Sequence, residues 1–261
     1  MTIVRHELKQ GRMAFLIWTG VLAFMLMVCI VIFPDMKSQM ADMNGMLASM
    51  GAVSEAFGMD QLNFSTLIGY YVVECGNVLG LGGALFAAMC ASLMLSKEES
   101  GRTAEFLLSH PVSRVRIVTE KFFAVVIEIT AMNLIVYIIS MLSIIAIGEA
   151  VPWKEFNLVH LAYYILQLEL AGICYGISAF IRKGGLGIGL GVGVIMYFLN
   201  IISNLTDSAK FLKYITPFSY CEGSDIVNNG ALTGKYLIVG VILALLGVIA
   251  AYIRYLKKDL Q

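Results

Sequence analysis

Apolar residues along this chain gather into long unbroken runs divided by short polar connections, with neither the period-two alternation of strands nor the narrow stripe of a soluble helix. Crossing about 30 Å of hydrocarbon takes roughly 20 helical residues. Six runs approach or exceed that length, at 13–33, 67–95, 122–147, 158–181, 186–203 and 236–252. The pattern predicts an all-α polytopic membrane protein, one transmembrane domain over 1–261 with six crossing helices.

The connections add detail. Before the first run, "MTIVRHELKQGRM" puts Ile3, Val4 and Leu8 near one face and Arg5, Lys9 and Arg12 near another, which predicts a short amphipathic interfacial helix at the N-terminus. Pro34 is expected to stop the first membrane helix. Beyond it Met36, Met40, Met43, Met46, Leu47 and Met50 recur at helical intervals, as a helix packed on the bundle or a substrate-contacting methionine surface would have them. Between the fifth and sixth runs, "FLKYI", "PFSY" and "DIV", broken by Pro217 and Gly223, predict re-entrant segments dipping into the outer leaflet. Irregular backbone at that depth must be covered by protein or line a wet cavity.

Small residues mark where helices approach. Gly76, Gly80, Ala84 and Ala88 recur along the second run. Glycine at 185, 187, 189, 191 and 193 leaves both faces of the fifth open to close contact. That glycine run does not fit G-x-G-x-x-G and follows no strand, so it is not read as a nucleotide loop.

Composition agrees with the pattern: 59% of residues are hydrophobic and 14% charged, against about 45–50% and 25% in soluble domains. Net charge is zero, so nothing points to nucleic acid. The sign of the connections sets an orientation. Of the 18 Lys and Arg residues, 13 lie in the two termini and the second and fourth connections. The positive-inside bias therefore puts both termini in the cytoplasm, with the chain multi-pass in the plasma membrane. The first run reads as a span rather than a cleavable signal. Cys29, Cys75, Cys90 and Cys174 fall in apolar runs and Cys221 in a connection, with no C-x-x-C pair. They read as small buried hydrophobes rather than disulfides or metal ligands.

The most charged connection, "KEESGRTAEFLLSHPVSRVRIVTEK", follows the second run. A helix from Lys97 to Leu108 sets Thr103, Phe106, Leu107 and His110 on one side and Glu98, Glu99, Arg102 and Glu105 on the other. Pro111 ends it, and Arg114, Arg116 and Lys121 lead into the third span. A short cytosolic helix between two spans is a handle for another protein. Phe106, the lone aromatic of the segment, is its expected anchor, either packed under its own bundle or seated in a partner's cleft, with Leu107 second.

That stretch, "KEESGRTAEFLLSHPVSRVRIVTEKF", resembles the permease subunits of ABC-2 type ABC transporters, the type V exporter-like transmembrane subunits. Acidic residues, a Gly and Thr, Glu-x-Leu-Leu, Pro-Val-Ser-Arg and a Lys opening the third span follow the family pattern, and "ITPFSY" is similar to its counterpart before the last span. The resemblance covers essentially the whole chain. It implies that two permease chains, as homodimer or heterodimer, form the substrate pathway of an exporter. It also implies a coupling helix, at 98–109 here, gripped by a separate ATP-binding subunit. Contacts with that subunit would fall on Glu98, Glu99, Arg102, Thr103, Glu105, Phe106, Leu107, Pro111 and Arg114. The chain has no G-x-x-x-x-G-K-[ST] of its own, so ATP and magnesium would belong to the partner and this chain would not be an enzyme.

Polar residues inside the runs are costly in lipid and invite a functional reading. Glu74 and Asn77, Glu128 and Asn133, Gln167 and Glu169, and Asn200 are of this kind. Glu169, Glu128, Glu74 and Asn133 are the pathway candidates, with structural hydrogen bonding as the alternative for each. Two other function classes remain open. A stand-alone secondary transporter fits six spans but lacks a visible inverted repeat. A CAAX-type intramembrane protease would use Glu98 and Glu99 with His160, yet the charge topology sets these on opposite sides of the membrane.

Overall fold

The computed structural model describes residues 2–49, 51, 54, 62–101 and 112–257, leaving aside the side chains of 38 and 40–49. The described residues form helices and turns without strands. Six helices are long and apolar enough to cross a membrane: α1 (Thr2–Ser49), α2 (Leu67–Met94), α3 (Arg114–Ala146), α4 (Trp153–Ser178), α5 (Gly185–Leu205) and α6 (Gly234–Lys257). Six crossings return the chain to the side it started from, so both termini share one side of the bundle.

Burial sorts the helices into centre and rim. The apolar windows of α2 and α4 are 61% and 67% buried, against 17% and 11% for α5 and α6. The two central helices face each other, α1 packs on α3, α5 leans on α2, and α6 lies along α4. Ala84, Ala87, Ala88 and Ala91 are fully buried on α2, as a central helix in lipid requires.

Backbone proximity sets these pairings. On the α4–α6 seam a Cβ at Gly176 would stand 2.8 Å from the Cα of Gly247, and one at Gly172 3.0 Å from the carbonyl oxygen of Ala244. On the α2–α5 seam a Cβ at Gly189 would stand 2.7 Å from the carbonyl oxygen of Ala88, while Gly187 and Gly191 face open space. Among the described residues, one of the two glycine faces of α5 is therefore packed and the other is open. Successive alternate residues turn about 200° around a helix of 3.6 residues per turn, which divides the run into 185/189/193 and 187/191.

Two expectations are corrected. Pro34 does not stop the first helix: α1 runs 48 residues with Pro34 inside it. Proline removes the N–H that would bond the carbonyl four residues earlier, a loss that neighbouring helices can offset in a membrane bundle. The hydroxyl of Tyr70 donates to the adjacent Cys29 carbonyl at 3.2 Å, bringing α2 against that turn. The N-terminal amphipathic segment is not a separate interfacial helix either. It forms the opening turns of α1, with Val4 and Glu7 buried, and Glu120 of α3 accepts hydrogen bonds from the Ile3 and Val4 amides at 3.0 and 3.4 Å. Helix N-termini leave amides unpaired, and a carboxylate there satisfies both hydrogen bonding and the helix dipole.

Within α2, Gly76–Gly82 is a π-helical segment, a form common at functional sites and not signalled by the hydropathy pattern. After α5 the chain takes two 3₁₀ pieces, Asp207–Tyr214 and Pro217–Tyr220, then a short helix, Gly223–Asn229. Pro217 through Tyr220 are all buried.

Overpacking the α4–α6 seam should be costly, because backbone rather than a flexible side chain would have to move. Gly247→Leu is expected to lower stability by about 1–3 kcal/mol, whereas Gly187→Leu should change it by no more than about 0.5 kcal/mol. Thermal unfolding of the two purified variants in detergent checks the contrast.

Candidate functional site

The connection after α2 is rooted in charge. Lys121 of α3 is fully buried. An ammonium has three protons, and all three are placed: on Glu7 at 2.9 Å, on the Met94 carbonyl at 2.9 Å and on Glu98. Lys97 also pairs with Glu7 and donates to Gln10 at 2.7 Å. Two lysines thus balance two glutamates, and a buried ion cluster is tolerable when neutral and hydrogen-bonded.

The helical turn Lys97–Ser100 is fastened elsewhere as well. Ser100 Oγ donates to the Arg182 carbonyl at 2.7 Å, and the Arg182 guanidinium lies 4.0 Å from Glu99. Arg114 donates to the carbonyls of Tyr255 and Leu256 at 3.4 and 3.1 Å, at the end of α6. Of the residues expected at the handle, Glu98, Glu99 and Arg114 are thereby placed, at a junction touching α1, α3, α6 and the α4–α5 connection. Arg102, Thr103, Glu105, Phe106, Leu107 and Pro111 lie outside the described residues. The protease reading loses its geometry. His160 bonds Tyr71 at 2.7 Å near the start of α4, while Glu99 sits by Arg182 beyond its end, and the helix between 160 and 178 alone rises about 27 Å.

The intramembrane polar residues do not converge. Asn133 donates to Gln167 at 2.7 Å, and Gln167 donates to the Leu79 carbonyl at 3.2 Å inside the π-helical segment. Glu169 is 2% exposed, accepts a hydrogen bond from Tyr220 at 2.9 Å and packs on Gly240 of α6. Glu128 is buried against Gly11 of α1. Glu74 is half-buried and accepts from the Cys29 thiol at 3.6 Å.

An open cleft lies elsewhere, at the end of the bundle away from the termini. The start of α2 contributes Val72, Gly76 and Asn77. The end of α5 contributes Tyr197, Asn200 and Asn204, and the loop after it Phe218, Cys221 and Glu222, with Tyr163 of α4 as the floor. Tyr163 donates its hydroxyl proton to the Cys221 carbonyl at 3.1 Å, and the Thr216 hydroxyl donates to the Met196 carbonyl at 2.7 Å, so the irregular loop is pegged to two helices. Burial pushes the Glu222 carboxyl above the usual carboxylate range, with Lys213 and Asn204 beside it pulling the other way. Asn77 and Asn200 were visible in the sequence as polar residues in apolar runs. Their meeting with Glu222 was not, since three distant segments build the cleft.

Over residues 1–260 the sequence matches the family described as ABC-2 family transporter protein. The chain belongs to that family. No curated protein matches it. As an ABC-2 transporter protein it is a membrane permease component, not itself catalytic, of a family that normally works with an ATP-binding subunit. In this ABC-2 chain, then, the ionic junction and the cleft stand at opposite ends of one six-helix bundle.

Lys121→Met should take from Glu98 its buried ammonium, while Glu7 keeps Lys97, and destabilise the protein by about 3–5 kcal/mol. Lys121→Met combined with Glu98→Gln, which leaves the Lys97–Glu7 pair balanced, recovers most of that loss. Melting temperatures of the two variants measure it. A second expectation follows from Glu222. A carboxyl raised by burial favours the protonated folded state, so its stabilising contribution is present below the ordinary carboxylate pKa and lost as pH rises through the higher folded value. This contribution should therefore fall as pH rises above the ordinary carboxylate range, and Glu222→Gln should flatten that part of the profile in melting curves taken from acid to neutral pH.

Proposed function

We propose that this chain is the transmembrane subunit of an ABC exporter, paired with a second permease chain and driven by a separate ATP-binding subunit that carries the ATP and magnesium. The observation behind this reading is the fastening of Lys97–Ser100, where four sets of contacts root the segment in the bundle. A surface loop for solvent needs no such root, whereas a handle must pass on what it receives. The termini and the 98–109 segment face the cytoplasm, in line with the Lys and Arg count. The ATPase grips the segment through Phe106 and Leu107, with Arg102, Thr103, Glu105 and Pro111 shaping that surface.

The pieces after α5 dip into the outer leaflet, and the cleft they border opens onto the pathway. Glu74, one turn from Asn77, lies nearest that opening. Asn133, Glu128 and Glu169 sit at the helix seams that must shift for the pathway to open, and Glu169 links the loop at Tyr220 to α6.

Co-purification with full-length chain tests the reading: an ATPase should accompany it, and an exporter without one would have to be a secondary transporter. Phe106→Ala is expected to weaken retention of that ATPase by about 2 kcal/mol, some thirtyfold, without changing the melting of the permease itself. Lost melting with normal retention would put Phe106 in the chain's own core instead.

A further inference from the structure

The hydrogen-bonding groups of the cleft are unevenly matched. Glu222 Oε1 and Asn204 Oδ1 are buried acceptors to which no described residue donates a hydrogen bond. The nearest cation to Glu222, Lys213, stands at 3.7 Å, beyond hydrogen-bonding distance. Asn200 Oδ1 receives one long bond from Ser219 at 3.5 Å. The one phenol on the floor has already given its proton to the Cys221 carbonyl. Three acceptor oxygens bordering this space, from Glu222, Asn204 and Asn200, thus have one long hydrogen bond between them, and buried acceptors left unmatched cost more than matched ones return. Rings frame the space: Tyr197 and Phe218 meet edge to face with centroids 5.4 Å apart.

We infer that the cleft binds a protonated primary amine carried on an apolar or aromatic body. An ammonium supplies three donors and a positive charge in a compact head, matching a carboxylate and two carboxamide oxygens beside aromatic faces. An alcohol brings a single donor and no charge. A carboxylate or phosphate brings acceptors to a site already rich in them. Lys213 then acts as a tethered stand-in: its ammonium lies near Glu222, close enough to screen the charge and too far to bond it, and an incoming amine takes its place.

This inference names a substrate class for the pathway proposed above and rests on that reading only for the word substrate. Binding itself is measured on the isolated full-length chain in nanodiscs, without any ATPase, so failure of one is distinguishable from failure of the other. The probes share one skeleton: phenethylamine, phenethyl alcohol and phenylacetate. Phenethylamine should bind, and the other two should bind at least about tenfold more weakly. Glu222→Gln should weaken amine binding about tenfold or more. Lys213→Ala should tighten it about two- to fivefold by removing the competitor, a change opposite in sign to any loss of structure. The inference is overturned by alcohol binding as tight as amine, by amine affinity that survives Glu222→Gln, by weaker amine binding in Lys213→Ala, or by no detectable amine binding to the folded wild type.

Discussion

A single buried ammonium constrains the terminal side of this bundle. Lys121 can sit inside only if its charge is balanced and each proton has an acceptor, since an unpaired lysine there costs several kcal/mol. Its acceptors come from α1, the last turn of α2 and the turn that follows, so placing one side chain fixes where three elements meet. Glu120, its neighbour in sequence, holds the first amides of α1 and pairs with Arg116 at 2.7 Å. Arg114, two turns earlier, reaches the end of α6. The opening of α3 is thus where the chain gathers its own ends.

Inside the bundle a different device operates. Lipid offers no hydrophobic reward for bringing helices together, so close approach depends on small residues and on serving stray backbone groups. The π-helical segment of α2 illustrates both. Gly76 and Gly80 leave room for the Tyr163 ring, and Gly83 leaves room for Gln167. Gln167 answers the Leu79 carbonyl while Asn133 of α3 holds Gln167 in place. Polar residues that stand out in an apolar run are here supports for backbone that departs from regular α-helix.

What the sequence discloses and what it hides divide along physical lines. The crossing helices were legible because hydropathy depends on composition over a window, and each run is long enough to average out local exceptions. Pro34 misled because the steric rule is local and the compensation is not: α2 covers the affected turn. The glycines of α5 announced close packing but not which face would be used, since the choice depends on Ala88 and Ser92 of another helix. Lys121 and Glu7 lie 114 residues apart. A charge count treats both as flanks of a span, and no local pattern distinguishes a solvated lysine from one fully enclosed. The cleft was hidden for the same reason, being a meeting of segments around positions 72, 200 and 222.

The two ends of the bundle are held by interactions of different stiffness, which bears on how a transporter of this family could work. Around Lys121 any displacement of one member leaves a charge without its partner in a low-dielectric setting, so the cluster moves as a body or not at all. Around the cleft the loop is held mainly by individual hydrogen bonds, Thr216 to Met196, Tyr163 to Cys221 and Tyr220 to Glu169, a neutral one contributing about 0.5–1.5 kcal/mol. On the proposed reading, a push delivered at Lys97–Ser100 would meet a junction joined to α1 and α3. It would be relieved at the far end, where α2 and α5 border an open space. The two ends are joined by the closely packed central helices, and on the proposed reading that order of stiffness, rather than any one residue, would let the bundle act as a lever.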